Sequence, residues 1–209
     1  RSSTFAYMRS ESTNATYTGL DVGQHQSGYG VINMRDNQDI RFYTNDAEKV
    51  RIQAAGGISF NGDTAAANAL DDYEEGFWTP VYDTTSTGFG SIGYHSQTGR
   101  YVRVGKQVHA WWLIATNSLT KSSASGSLIV TGLPYTVENV DYQSGVIGYS
   151  QTWVTNHPIS NLAAYNGTHI FLYYSNGSTS HANITPSNMV DHSGSNKHYL
   201  YGAVSYRSA

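Results

Sequence analysis

Gly-Arg-Tyr-Val-Arg-Val-Gly-Lys-Gln-Val, the sequence of residues 99–108, decides the fold class. The β-favouring side chains on either side of Gly105-Lys106 are Tyr101, Val102, Val104 and Val108. Two β-type runs separated by two residues, the first of them glycine, predict a tight β-hairpin. The chain is therefore expected to contain antiparallel sheet.

Short β-type runs of the same kind continue through Phe77–Ala209, separated by turn residues. About nine short strands at this spacing predict an antiparallel β-sandwich, jelly-roll-like, over residues 77–209. The strand candidates are Phe77–Tyr82, Ser91–His95, Arg100–Val104, Gln107–Thr116, Ser127–Thr131, Ser144–Val154, His169–Tyr174, His181–Ile184 and Tyr199–Tyr206.

The N-terminal part, residues 1–62, contains shorter runs with a near-constant spacing. Runs begin at Val31, Ile40, Lys49 and Gly57. Such a period is typical of stacked architectures, and no run is long enough to build a sheet with its own core. We therefore predict an intertwined, fibrous, homo-oligomeric β shaft made by copies of the chain. The alternative is a meander packed on the edge of the following domain.

One segment, from Asp63 to about Tyr73, has the composition of a short helix that links the two parts. Asp63 or Thr64 is a suitable N-cap, alanines follow, and Gly76 would end the helix. The predicted junction spans residues 63–76. Its acidic cluster is interpreted as a solvated helix end, or as partners for Arg or Lys of a neighbouring chain. The cluster comprises Asp71, Asp72, Glu74 and Glu75.

Composition excludes several classes of protein. The 209 residues include 13% charged residues, 13% aromatic residues and no cysteine, with a formal net charge of -3. Abundant aromatics argue against disorder, and the mixed weak charge argues against a nucleic-acid-binding patch. Disulfides and zinc–thiolate sites are excluded. Because the chain begins at Arg1, it is expected to be the C-terminal piece of a longer protein.

Several segments resemble tail fibres of tailed bacteriophages. Residues 40–58 carry Ile-Arg-Phe-Tyr-Thr-Asn, Val-Arg-Ile and Gly-Gly-Ile, which resemble a repeated shaft signature. Residues 69–80, Ala-Leu-Asp-Asp-Tyr-Glu-Glu-Gly-Phe-Trp-Thr-Pro, resemble the junction and first head strand of a fibre type found in phages of aquatic bacteria. Residues 99–108 and Gly132-Leu133-Pro134 also fit, so the resemblance covers roughly residues 28–134.

This resemblance implies a homotrimer whose distal head binds the host surface during adsorption. The expected partners are a host polysaccharide or lipopolysaccharide, and other tail proteins through an N-terminal region outside this sequence. The implied location is the virion, exposed to the extracellular medium. No cofactor, nucleic acid or membrane insertion is expected.

Two other functions remain open, a tailspike-like polysaccharide depolymerase and a purely structural fibre or cap protein. Glycoside hydrolysis generally needs two carboxylates, and from Thr84 onward there are only Glu138, Asp141 and Asp191. The eight histidines show no metal-ligand spacing, and no Gly-x-Ser-x-Gly elbow is present. A non-enzymatic receptor-binding protein is therefore the favoured interpretation.

Aromatic and short polar side chains suit carbohydrate binding, because rings cover sugar C–H faces and polar groups bond hydroxyls. Trp111 and Trp112 are adjacent on a predicted strand and should face opposite sides. If Phe77–Tyr82 runs away from the shaft, alternate connections lie at the far tip. The two long ones, Gly132–Gln143 and Thr185–Lys197, are the candidate binding loops. The receptor-binding candidates are Tyr135, Asp141, Tyr142, Asn188, Asp191, His192, Asn196 and Lys197.

Overall fold

The structure is a computed structural model of an all-β chain. It divides into two compact units, Arg1–Asp71 and Asp72–Ala209. The residues that it describes are 5–10 (as a strand only), 19–25, 27–140, 143–175, 177 and 180–209.

The first unit consists of two antiparallel three-stranded sheets in the orders β1-β2-β3 and β4-β5-β6. Asn45 and Asp46 both adopt left-handed φ angles, 52° and 55°, in the turn between β4 and β5. That conformation matches the right-handed twist of hairpin strands. The strands are β1 Phe5–Ser10, β2 Leu20–His25, β3 Gly30–Met34, β4 Ile40–Thr44, β5 Ala47–Ile52 and β6 Ile58–Phe60.

The β4–β5–β6 sheet has one polar face and one apolar face. Arg51 is 5% exposed on the polar face, where Glu48 accepts two hydrogen bonds of 2.6 Å from its guanidinium and Asp39 accepts a third of 2.8 Å. The strand register aligns a row of three isoleucines and a row of Phe, Val and Phe on the other face. Those apolar residues are Ile40, Phe42, Val50, Ile52, Ile58 and Phe60. In the described part of this unit, no hydrophobic side chain is buried.

The predicted helix between Asp63 and Tyr73 is wrong. Only a single 3-10 turn forms, at Ala66–Asn68. The carboxylate of Asp63 accepts hydrogen bonds from the Ala65 N–H (2.9 Å) and the Asn68 side chain (2.8 Å), which closes a local turn. Leu70 then exchanges two backbone hydrogen bonds with Ile58 and extends the chain. Long-range backbone pairing therefore overrides the helix propensity of the alanines.

The second unit is one antiparallel sheet of ten strands in the order β7-β9-β10-β16-β12-β13-β14-β11-β8, with β15 beside β14. A 3-10 turn at Pro186–Asn188 precedes the last strand. The strands are β7 Tyr73–Trp78, β8 Val81–Thr84, β9 Ser91–Val104, β10 Gln107–Thr120, β11 Leu128–Thr131, β12 Gln143–Gln151, β13 Ser160–Ala163, β14 His169–Ser175, β15 His181–Asn183 and β16 His192–Arg207.

This sheet curls so that its last strand, β8, packs over its first half. Tyr82 of β8 donates a hydrogen bond to the backbone oxygen of His198 (2.9 Å), and its N–H donates to the hydroxyl of Tyr94 (2.9 Å). Tyr82 and Trp112 lie in one buried cluster inside the curl. The arrangement is consistent with the predicted β-sandwich or jelly-roll-like fold.

The hairpin predicted from residues 99–108 is confirmed, since Val104 pairs with Gln107 across Gly105-Lys106. The two predicted strands Ser91–His95 and Arg100–Val104, however, form the single strand β9. The acidic residues interpreted as a helix end lie next to or within β7. Gly76, the expected helix stop, lies within β7 beneath the Tyr101 ring, where a Cβ atom would come within 2.6 Å of that ring.

Candidate functional site

The two loops predicted to share one tip lie at opposite ends of the second unit. The Tyr135 N–H donates to the hydroxyl of Tyr206, beside the start of β10 and the point where the chain enters at Asp72. Asp191 accepts a 2.8 Å hydrogen bond from the Lys121 N–H, just after β10 ends. At roughly 3.3 Å per residue, the ends of β10 are about 40 Å apart. The alternate-connection argument failed because β15 has only three residues, paired with the last three residues of β14, and does not carry the chain back across the unit.

Tyr135 is part of a half-buried cluster at the Asp72 end. Its hydroxyl donates to the carboxylate of Glu74, as does the hydroxyl of Tyr101. These hydrogen bonds, the one from Tyr101 first, lower the pKa of Glu74. The guanidinium of Arg103 lies 4.6 Å above the Tyr135 ring. Tyr135 therefore holds the start of this unit together.

Asn188 and Asp191 stabilise the loop before β16. Asn188 is 6% exposed, its Oδ1 accepts from the Thr185 N–H (2.9 Å), and its amide donates to Thr155 (3.1 Å). Asp191 accepts from the Lys121 N–H, as described above. Asn188 therefore closes its own loop at Thr185 and links it to Thr155, and Asp191 links the loop to the end of β10.

His192, Asn196 and Lys197 belong to the first part of β16, at the far end from Asp72. His192 is half-buried, with Nε2 3.3 Å from the Thr116 hydroxyl and Nδ1 3.2 Å from the Val190 oxygen. Asn196 is exposed and Lys197 is half-buried. The structure therefore brings four of the predicted binding residues together at one accessible edge. They are Asp191, His192, Asn196 and Lys197.

Asp141 and Tyr142 lie outside the described residues. Glu138, another candidate carboxylate, accepts from Arg207 Nε at 2.8 Å and from Lys106 Nζ at 3.2 Å. These two cations, Arg207 first, lower the pKa of Glu138. A general acid in glycoside hydrolysis needs the opposite shift, so Glu138 is not suited to that role.

The two adjacent tryptophans face opposite sides of β10, as predicted. Trp112 is 3% exposed, and its indole covers Gly202 of the neighbouring strand so closely that a Cβ there would lie 2.3 Å from the ring. Trp111 is 38% exposed on the outer face, with its ring 5.6 Å from that of His109. The outer face of this half of the sheet therefore carries exposed aromatic surface.

A tyrosine groove of about 500 Å³ lies on the same outer face, between β12 and β16; it is lined by Gly148, Tyr149, Gln151, Tyr199 and Tyr201. Tyr149 lies directly opposite Tyr201 in the strand pairing, with ring centroids 5.4 Å apart and planes at 81°. The two rings are 46% and 42% exposed. A register shift between Ile147 and Tyr149 brings the rings together above Gly148.

The groove combines apolar rings with hydrogen-bonding groups. The Tyr149 hydroxyl donates to the side-chain oxygen of Gln151, which orients the Gln151 amide group beside the rings. Ring faces can pack on the C–H face of a sugar, while phenol and amide groups can bond its hydroxyls. None of the five lining residues is ionisable at neutral pH, so the groove suits an uncharged polar ligand.

The sequence offered only part of the signal for this groove. Tyr199 and Tyr201 are two residues apart on a predicted strand and therefore had to share a face. Their partner Tyr149 lies about 50 residues away in the sequence, and its alignment depends on the register shift in β12. That register is not encoded in any local pattern.

The chain matches no known protein family, no curated protein and no solved structure. Among the described residues, no helix is long and apolar enough to cross a membrane. In the same part of the chain, no group of three or more His, Cys, Asp or Glu side chains is placed to hold a metal ion.

Proposed function

We propose that this chain is the distal segment of a homotrimeric bacteriophage tail fibre that binds a host cell-surface polysaccharide or lipopolysaccharide during adsorption. The phage assignment rests on the sequence resemblance of residues 28–134. The binding activity rests on the tyrosine groove, which is the observation that carries the proposal.

The groove has the size and chemistry of a sugar site. Its volume, about 500 Å³, falls within the roughly 300–1,000 Å³ of typical small-ligand sites. The two exposed rings of Tyr149 and Tyr201 provide apolar area at little cost in side-chain entropy. Because no carboxylate of the described residues lines the groove, binding without hydrolysis is favoured there over a depolymerase.

Assembly into a multimer is supported by the first unit, whose described strands expose large apolar side chains on both sheets. On the β4–β5–β6 sheet, Phe60 is 53% exposed and Phe42 47%. On the other sheet, Val22 pairs with Ile32, and they are 40% and 57% exposed. Burial of such side chains contributes roughly 1.5–3 kcal/mol each, and small sheets need this contribution to be stable. Copies of the chain packed face to face would supply it.

Native mass tests the assembly. Light scattering of the purified chain should give three copies of 22.9 kDa, or about 69 kDa. A particle of one chain mass would refute the trimeric fibre. In that case the apolar faces of the first unit would have to be covered by the chain itself.

A glycan array tests the binding. The probe is a panel of immobilised bacterial lipopolysaccharides and capsular polysaccharides. Tyr149→Ala and Tyr201→Ala should each weaken binding by about tenfold, since a lost ring contact is repeated in every copy. Tyr29→Ala removes a tyrosine that is 56% exposed in the first unit and is the matched control.

Two results would contradict the proposal in different ways. Wild-type protein that binds no glycan on the panel and no bacterial cells would favour a purely structural fibre. Binding that survives both groove substitutions would move the site elsewhere. Shortening of the bound polymer, followed by size-exclusion chromatography, would identify a depolymerase.

A further inference from the structure

The edge strand β7 presents a second aromatic surface, separate from the tyrosine groove. Phe77 pairs with Arg100 of β9, which pairs with Trp111 of β10. Phe77 is 75% exposed, the highest value among the large hydrophobic side chains of the described residues. A groove of about 310 Å³ runs between these side chains and is also lined by Glu75 and Val102. We call these five residues the β7-side patch.

Two opposite charges on this apolar patch have no ion-pair partner among the described residues. The Arg100 guanidinium lies over the Phe77 ring, 5.2 Å from its centroid. Across the described residues, no carboxylate oxygen lies within 4.0 Å of its nitrogens, and no Lys or Arg nitrogen lies that close to Glu75. The carboxylate of Glu75 accepts a hydrogen bond from the hydroxyl of Tyr73. A single copy therefore leaves both charges unneutralised beside exposed rings.

A patch with both charges and exposed rings is complementary to itself. Where such a patch lies on the threefold axis of a trimer, the same residues of all three copies meet and each copy contacts its neighbour. Arg100 of one copy can then pair with Glu75 of the next while Phe77 and Trp111 are covered. Aromatic residues and arginine are the side chains enriched at the centre of such interfaces. A glycan on this patch would leave Glu75 and Arg100 without ionic partners.

The chain connectivity also favours a second copy as the occupant. β7 begins at Tyr73, two residues after the first unit ends at Asp71. Copies that associate through their first units therefore hold their β7 strands at high effective concentration. A contact that is weak between free molecules becomes favourable under that tether.

We propose that the β7-side patch packs against a second copy of this chain, with Arg100 of one copy paired with Glu75 of its neighbour. This inference rests on the proposed assembly of the fibre. It extends that assembly to the second unit and identifies the surface and the ion pair that join neighbouring copies there.

Tryptophan fluorescence provides a reporter within the unmodified protein. Trp78, Trp112 and Trp153 are 7%, 3% and 6% exposed, whereas Trp111 is 38% exposed at the patch. Quenching by acrylamide therefore reports on whether Trp111 is covered. The quenching of Trp111 stays informative even if the first units alone keep the copies together.

The variants are Arg100→Glu, Glu75→Arg and the double exchange, measured with native mass in the full chain. Each single change sets like charges against each other across the interface, so the quenching constant should rise by about twofold or more. The double exchange restores opposite charges and should return quenching to the wild-type value. Ser193→Glu, which adds an acidic residue at an exposed position of β16, should leave quenching unchanged.

The outcomes separate this inference from the proposed function. A wild-type trimer whose Trp111 is quenched freely, or whose quenching is the same in all variants, overturns the β7-side interface but leaves the fibre intact. A wild-type monomer overturns both. If the single variants do not fold, the wild-type quenching constant and the double exchange still decide the question.

Discussion

Acidification should destabilise this protein through one buried histidine. His198 is fully buried at a register shift of β16. The Val190 N–H donates to its Nε2 (3.0 Å), so that nitrogen must be unprotonated. Nδ1 then carries the proton and donates to the Thr116 hydroxyl (3.0 Å), which in turn donates to the Lys197 backbone oxygen (3.1 Å). A second proton, on Nε2, would face the Val190 N–H and disrupt this series of hydrogen bonds.

The magnitude follows from the pKa shift. Burial, and then the charges of His192, Lys197 and Lys121, lower the pKa of His198 from 6.5 to about 3. The unfolded chain takes up a proton below pH 6.5, whereas the folded chain does so only near pH 3. The stabilisation is therefore complete above pH 6.5 and decreases towards pH 3, by about 1.4 kcal/mol per pH unit. At pH 5 the loss is about 2 kcal/mol.

Urea unfolding at pH 7 and pH 5, at one fixed chain concentration, measures this loss. His198→Asn keeps a residue that tolerates the φ angle of 48° but cannot titrate. Wild type should lose about 2 kcal/mol more than the variant between the two pH values. The pKa of His169 is also lowered by burial, but its contribution is common to both proteins and cancels. Equal losses in wild type and variant would refute the reasoning.

Thermal unfolding of two pairs of variants, each a test substitution and its control, examines the packing of the second unit and of the first. Gly202→Ala places a Cβ 2.3 Å from the buried Trp112 ring and should cost roughly 1–3 kcal/mol, whereas Gly148→Ala, with no contact closer than 4.0 Å, should be nearly neutral. Arg51→Met leaves the carboxylates of Glu48 and Asp39 without their closest cation and should lower the melting temperature clearly more than Arg41→Met, whose side chain is 44% exposed. Similar melting temperatures within either pair would contradict these assignments.

The sequence predicted those parts of the fold that depend on local patterns. The hairpin at Gly105-Lys106 needs only two neighbouring runs and a turn, and the alternation on β10 sends Trp111 and Trp112 to opposite faces. The helix failed because Leu70 finds a backbone partner in Ile58, which no local propensity encodes. The break expected near Gly99 failed because that residue continues in β9 and leaves room for the Trp78 indole, 2.5 Å from where a Cβ would lie.

The candidate site was harder to predict, because it lies on a sheet face and not in loops. Counting strands to find loops at one tip assumes that every strand crosses the sheet. β15 pairs only with the last three residues of β14, so Tyr135 and Asp191 lie at opposite ends. The tyrosine groove requires the register of β12 against β16, including its shift after Ile147. Register is fixed by the whole curled sheet, so only the three-dimensional structure brings Tyr149 to Tyr201.

The positions of the two proposed surfaces explain how assembly and binding can coexist on one sheet. The tyrosine groove lies on β12 and β16, and the β7-side patch lies on β7, β9 and β10. A neighbour seated on the patch can therefore leave the tyrosines open beside the interface. Each site would bind a single sugar unit weakly, but three sites held by one assembly on a repeating polymer raise the overall affinity by far more than any one contact could. Substitutions in the patch should then weaken attachment to cells only where they reduce the number of copies held together, whereas substitutions in the groove weaken every site directly.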